Sequence, residues 1–283
     1  MKFLSFLHGD LPAFGVLHDD ERVSELSAID PHYRSLKEAI SRLGTQRLLE
    51  LGRRVEPHLA LADVRLLPPI PRPGKIICIG LNYRAHALEG GFKVPEFPST
   101  FIRMCDTLVA SDAPIVLPPS SISTHLDFEG ELAVIIGKTG RHIAHSSALD
   151  HVFGYSCFND GSLRDFQFKH SLASGKNFPS TGGFGPFIET SDVITNPSTL
   201  TLSTRLNGTQ VQHQTLEDMI FDVPSIIEYV SRWTPLSPGD VIATGTPAGV
   251  GFARTPPLWL REGDIVEVEI SSIGTLRNTV CAS

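Results

Sequence analysis

Four prolines fall within six residues in Leu66-Leu67-Pro68-Pro69-Ile70-Pro71-Arg72-Pro73-Gly74. Proline has no amide hydrogen to give to a ladder, and its ring clashes inside a helix. This stretch is therefore neither helix nor central strand, and it divides the sequence unequally. We read residues 1–67 as a small N-terminal α+β domain, 68–74 as a proline-rich linker and 75–283 as a larger C-terminal domain. A length of 283 residues agrees with two domains at roughly 150 residues each.

On the short side, Phe3–Leu7 and Phe14–Leu17 read as strands separated by Gly9, Asp10 and Pro12. Apolar residues at Leu36, Ala39, Ile40, Leu43, Leu48 and Leu51 predict a helix over 32–51, stopped by Gly52 and weakened in its middle by Gly44. Beyond the prolines β signals dominate. Strands are predicted at Lys75–Ile79, Glu131–Ile136, Thr199–Leu206, Thr209–Gln212, Asp240–Ala243 and Ile265–Ile270, with Asn207-Gly208 as a hairpin turn. Helices are predicted over 162–171 and over 223–233, the latter with Pro224 at its start. The fold class expected is α+β and mostly β.

Acidic residues outnumber basic ones, 31 to 24, and the net charge is −7. That balance speaks against a nucleic-acid binder or a ligand of anionic membranes, and leaves only a local basic pocket to attract an anion. The apolar start breaks at His8, too early for a signal-peptide core, and no apolar run reaches the length of a bilayer span. The four cysteines, Cys78, Cys105, Cys157 and Cys281, form no CxxC pair. A reduced, cytoplasmic setting is the expectation.

Five segments could carry chemistry. In Asp127-Phe128-Glu129-Gly130-Glu131, alternation in an extended chain would turn all three carboxylates to one face. Such a row repels itself unless a cation lies within it, and all-oxygen ligands suit Mg²⁺, Mn²⁺ or Ca²⁺. The plainer alternative is a solvated acidic strand edge. Asn159-Asp160 ends an apolar run, and Arg164 and Gln167 follow at helical spacing, suited to gripping a carboxylate or keto group. Helix capping by Asp160 or Ser162 is the alternative there. His86 and Glu89, spaced i, i+3, could form a base and the carboxylate that orients it, ahead of a Gly90-Gly91 hinge. A surface His–Glu pair would look the same. Lys176 in Ser174-Gly175-Lys176-Asn177-Phe178 could face an anion, but the full P-loop pattern is absent. Thr244-Gly245-Thr246-Pro247-Ala248-Gly249 is either a plain turn cluster or a cradle for a carboxylate. No G-x-S-x-G elbow exists, and no cysteine sits where its pKa would fall.

Together these segments, in this order, resemble the fumarylacetoacetate hydrolase family, in its acylpyruvase and oxaloacetate decarboxylase-like branch. Ile79–His86, Asp127–Leu132, Asn159-Asp160 with Arg164–Gln167, Gly175–Phe178, Gly239–Ile242 and Thr244–Gly251 carry the resemblance, over residues 75 to about 280. It implies a C-terminal mixed β-roll domain beside a small N-terminal domain, usually in homodimers. It implies Mg²⁺ or Mn²⁺ (Ca²⁺ in some crystals) held by Glu129, Glu131 and Asp160, with Asp127 behind them. His86 and Glu89 would form a base dyad on a lid, and Lys176 would stabilise an enolate. Arg164, Gln167, Thr246 and Lys176 would bind a small anionic 2-oxo acid. The activity implied is hydrolysis of a carbon–carbon bond in a β-diketo acid, of the kind met in aromatic catabolism. The alternatives are decarboxylation, isomerisation or hydration of a related 2-oxo dicarboxylic acid, or a catalytically silent binding module. Two departures fall near the expected pocket: Arg103 stands in Phe101-Ile102-Arg103 where many members have lysine, and Gly161-Ser162-Leu163 where many have Ala or Val-Ser-Ala.

Overall fold

The run Gly130–Ile136 explains the architecture. It is apolar at almost every position, and all seven of its residues are buried. Leu132, Val134 and Ile136 pack into one hydrophobic cluster, Ala133 and Ile135 into another. A strand whose two faces are both apolar must be covered on both sides. In the computed structural model, which describes residues 1–28 and 32–283, this strand lies inside a twelve-stranded sheet. From one end of its main path the sheet runs through Leu59–Ala60, Arg22–Glu25, Leu11–Leu17, Lys2–His8, Gly182–Thr190, Val152–Asp160, Gly130–Ile136, Val241–Ala243, Ile76–Gly80 and Ser99–Arg103. Pairing along this path is antiparallel except where Val241–Ala243 runs parallel to Ile76–Gly80. The chain is α+β and mostly β.

Each face of the sheet has its own cover. On one side lies a five-stranded sheet of Ile115–Leu117, Thr201–Leu206, Thr209–Thr215, Ile265–Ile270 and Gly274–Ala282. Leu202, Val268, Ile270 and Leu276 from it meet Leu132 and Val134, and the helix Val223–Trp233 adds Ile226, Ile227 and Val230. On the other side the helix Leu36–Arg54 buries Leu36, Ala39, Ile40, Leu48 and Leu49 against Ile76, Ala133, Ile135 and Phe153. The Ser35 side chain caps that helix by accepting from the Glu38 amide, so it begins later than the predicted 32. Gly44 kinks it with a φ of 72°. The small N-terminal unit also joins the main sheet directly, with Lys2 opposite Glu189 and Phe3 opposite Ile188.

Residues 68–75 lie outside any helix or strand, as the prolines require. The segment is nevertheless fastened: Ile70 is buried, and the Ser5 hydroxyl donates to the Pro69 carbonyl at 2.8 Å. The Asn207-Gly208 hairpin forms, both residues at positive φ. The helix predicted over 162–171 is corrected. Ser162–Leu163 instead pairs with Leu126–Asp127 as a short strand. The helix Arg164–Lys169 follows, and a second, Leu172–Lys176, starts from a capping box on Ser171. A strand ladder satisfies the Ser162–Leu163 backbone where a helix would have to turn away from the sheet.

Candidate active site

The acidic residues meet because two core strands pair. Gly130 stands opposite Asn159 and Glu131 opposite Phe158, so Asp160 ends one strand beside the start of the other. The Asp160 amide donates to the Glu129 carbonyl at 2.8 Å, and the Glu129 amide donates to the Asn159 side chain at 2.9 Å. Carboxylate oxygens of Glu129, Glu131 and Asp160 then lie within 4.8 Å of one another, all three residues buried.

Cations surround two of the three. Lys176 Nζ donates to Glu129 Oε2 at 2.5 Å and to Asp160 Oδ2 at 2.6 Å. Arg164 Nη2 lies 2.6 Å from Glu129 Oε1 without aligned hydrogen-bond geometry. Arg103 Nη1 donates to Asp160 Oδ1. Among the described residues, Glu131 receives only a backbone donor, the Gly245 amide at 2.9 Å. The carboxyl groups respond accordingly. Burial alone would raise Glu129, but the Lys176 ammonium, the Arg164 guanidinium and His86 pull it down to about 2. Burial, Asp160 and Glu129 push Glu131 well above the usual carboxylate range.

Asp127 follows a different course from its predicted face-sharing. It accepts from Arg164 Nε at 2.8 Å and from the amides of Phe128, Gly251 and Phe252 at 2.7–3.0 Å. That saturates it and leaves it behind Arg164, outside the trio. Four buried carboxylates therefore face three buried guanidinium or ammonium groups, one negative charge in excess. An uncompensated buried carboxylate costs several kcal/mol. A divalent cation among three converging oxygen donors would remove that cost and leave one positive charge over, which suits an anionic substrate. The donor set fits Mg²⁺ or Mn²⁺.

Above the trio lies a cavity of about 230 Å³ lined by His86, Phe92, Phe101, Arg164, Gln167, Phe168, Lys176, Thr246 and Phe252, with the three acids among its walls. A larger cleft of about 850 Å³, lined by Leu61, Val64, Leu66 and residues 108–114, lies elsewhere and holds no such acidic trio, so chemistry rather than size marks the site. His86 Nδ1 is 2.8 Å from Glu89 Oε1, which leaves Nε2 for the cavity. The second oxygen of Glu89 accepts from the Gly249 amide at 2.9 Å and ties the short helix Arg84–Glu89 to the loop beyond Val241–Ala243. Gln167 accepts from Arg164 Nη1 at 2.9 Å. The Thr246 hydroxyl donates to the Gly130 carbonyl and accepts from Gln212, so its proton is already committed to the floor strand.

The nine residues expected to hold metal, act as the base dyad or bind substrate thus line one cavity or, for Glu89, contact one that does, while Asp127 stands behind it. Two participants were missed. Arg103 was noted only as a departure. Gln212, whose amide also accepts from the Gly130 amide at 3.0 Å, looked like an ordinary strand residue. Nucleophilic cysteine chemistry finds no support: burial drives Cys78 upward and raises Cys157 to about 12.

A family model described as "Fumarylacetoacetate (FAA) hydrolase C-terminal" matches residues 75–281, and one described as "Rv2993c-like, N-terminal" matches residues 1–69. Oxaloacetate tautomerase YisK of Bacillus subtilis is 44% identical over 225 residues, 78% of this chain and 74% of that protein. Mitochondrial oxaloacetate tautomerase fahd2 of Xenopus laevis is 36% identical over 289 residues, 99% of this chain and 90% of that protein. The crystal structure of maleylpyruvate hydrolase from Sphingobium sp. SYK-6, in complex with manganese(II) ion and pyruvate, superposes with a TM-score of 0.82 at 28% identity, covering all of both chains. Among the described residues, no helix is long and apolar enough to cross a membrane.

Proposed function

Since the chain belongs to the fumarylacetoacetate hydrolase family, we propose that it is a divalent-metal enzyme that moves a proton at C3 of oxaloacetate or a closely similar 2-oxo acid, interconverting keto and enol forms. The observation that carries this reading is the buried trio Glu129, Glu131 and Asp160 beside the His86–Glu89 pair in one small cavity. Mg²⁺ or Mn²⁺ held by the trio would supply Lewis acidity toward a developing enolate oxygen. His86 Nε2 takes a proton from C3. The electron pair it leaves becomes the C2–C3 double bond, and charge gathers on the C2 oxygen. Return of a proton to that oxygen completes the enol. Glu89, 2.8 Å from Nδ1, holds the imidazole in register with Nε2 toward the cavity. Lys176 and Arg164 offer positive charge to the substrate carboxylate and the enolate, worth about 10²–10³ in rate for one preorganised partner. The chain works as a homodimer in this proposal, on the family resemblance.

Hydrolysis of a carbon–carbon bond in an acylpyruvate is the second reading. It draws support from the same dyad, which could deprotonate a water as readily as a C–H, and from the maleylpyruvate hydrolase likeness. The test follows enol oxaloacetate spectrophotometrically with Mn²⁺ and with chelator, alongside an acylpyruvate. Metal-dependent loss of the enol signal without new acid products supports the tautomerase. Cleavage of acylpyruvate alone overturns it in favour of hydrolysis, and inertness toward both overturns each reading.

A further inference from the structure

We infer that Arg103 is a positioning residue that fixes the direction in which Asp160 presents its carboxylate. This inference rests on the reading of Asp160 as a metal ligand. The side chain leaves the edge strand Ser99–Arg103 and is wholly buried, with no exposed surface. Nη1 donates to Asp160 Oδ1 and, at 3.0 Å, to the Gly161 carbonyl. Nη2 donates to Thr181 Oγ1 at 3.0 Å and Nε to Thr107 Oγ1 at 3.2 Å. Three anchors besides the carboxylate therefore hold a planar group against both translation and rotation.

Room for the guanidinium is built into the neighbouring strand. A Cβ at Gly182 would stand 2.8 Å from Nη2, so only glycine leaves the fork its place. With Oδ1 held by Arg103, Oδ2 is the oxygen that shares the Lys176 ammonium with Glu129. The two oxygens of Asp160 are thereby given separate tasks. Lysine, at the position where many family members carry it, would keep the charge. It would lose the fork, because one ammonium has three donors around a single point and cannot span Thr107, Thr181, Gly161 and Asp160 in one plane. The partner of a ligating carboxylate sets the ligand's orientation, and loss of such a partner commonly weakens metal binding about 10–100-fold.

The test is Mn²⁺ affinity by titration calorimetry on the purified full-length protein, with thermal melting of the metal-free form as the check on folding. R103K is expected to melt cooperatively and bind Mn²⁺ about 10–100-fold more weakly than wild type. T181V, which keeps the arginine and removes the Nη2 anchor together with the Thr181 hydroxyl's bond to the Phe178 carbonyl, is expected to lose about threefold. R103K that binds within twofold of wild type overturns the inference, since charge alone would then suffice. Should R103K not fold, T181V carries the test, and its unchanged affinity likewise overturns the inference. Wild type without affinity for Mn²⁺ overturns the metal reading itself, an outcome separate from wild-type binding that R103K retains.

Discussion

Glu129, Glu131 and Asp160 sit at the paired ends of two core strands, and each carboxylate is tied by buried donors. His86 and Glu89 sit on a helix six residues long, and the segment around and beyond it exposes Leu88 at 66% and Phe97 at 62%. A glycine pair follows that helix, and Glu89 reaches the loop through one bond to the Gly249 amide. On the proposed function, the part of the site that would absorb charge is thus held by the core of the sheet. The part that would move a proton rides on a light element with few attachments. Stabilising an enolate demands donors that do not reorganise, whereas proton transfer tolerates a base that swings into reach.

Glu131→Gln should break the floor with the largest effect. Turnover should fall by about 10³-fold or more, and added Mn²⁺ should no longer raise the melting temperature. The same variant sharpens the electrostatic account. A carboxyl raised above its ordinary value of 4.5 contributes stability that is fully present below that value and lost as pH climbs through the raised one. In chelator, wild type should therefore lose melting temperature relative to Glu131→Gln as pH rises above 4.5. A constant gap would show that Glu131 is not strained by its neighbours. His86→Ala strikes the helix instead. It should cost about 10²–10⁴ in turnover while Mn²⁺ affinity in calorimetry stays within about threefold of wild type. Equal loss of metal affinity would erase the division between the two regions. Gly91→Ala is the mildest. Gly91 has a φ of 72° and open space around its missing Cβ, so the change adds only backbone strain of about 1–2 kcal/mol. Turnover should drop a few-fold with metal affinity untouched. A melting shift equal to that of a core substitution would mean the segment is no light attachment.

Much of the floor was legible because Asp127–Glu131, Asn159-Asp160 and Gly175–Phe178 are contiguous stretches whose residue types suggest their chemistry. What escaped depends on contacts between distant segments. Arg103 is 57 residues from Asp160, and nothing in Phe101-Ile102-Arg103 shows that its guanidinium ends on that carboxylate. Gln212 reaches Gly130, Thr246 and Pro247 from the partner strand of a hairpin, where an alternating pattern predicts only a sheet surface. Glycines are ambiguous in sequence. Thr181-Gly182-Gly183-Phe184-Gly185-Pro186 has the composition of a turn, yet Gly182–Thr190 is a nine-residue strand. Its glycines are there because Arg103 and Asn278 press against the backbone at Gly182 and Gly183. A missing side chain reads as flexibility in one dimension and as crowding in three. Gly274–Ala282 was not read as a strand, and it closes the second sheet against Ile265–Ile270 and Ile115–Leu117.

Lys176 carries a last consequence. Its ammonium lies between Glu129 and Asp160, in the space where those two acids converge. On the proposed metal reading, loading a divalent ion there would be an exchange, in which a competitor tethered to the same chain would have to give way. Such a competitor is present at a fixed effective concentration that dilution cannot lower. The apparent affinity for the ion would be lowered by a constant factor, and the displaced ammonium would be set loose beside the cavity at the moment the ion arrives.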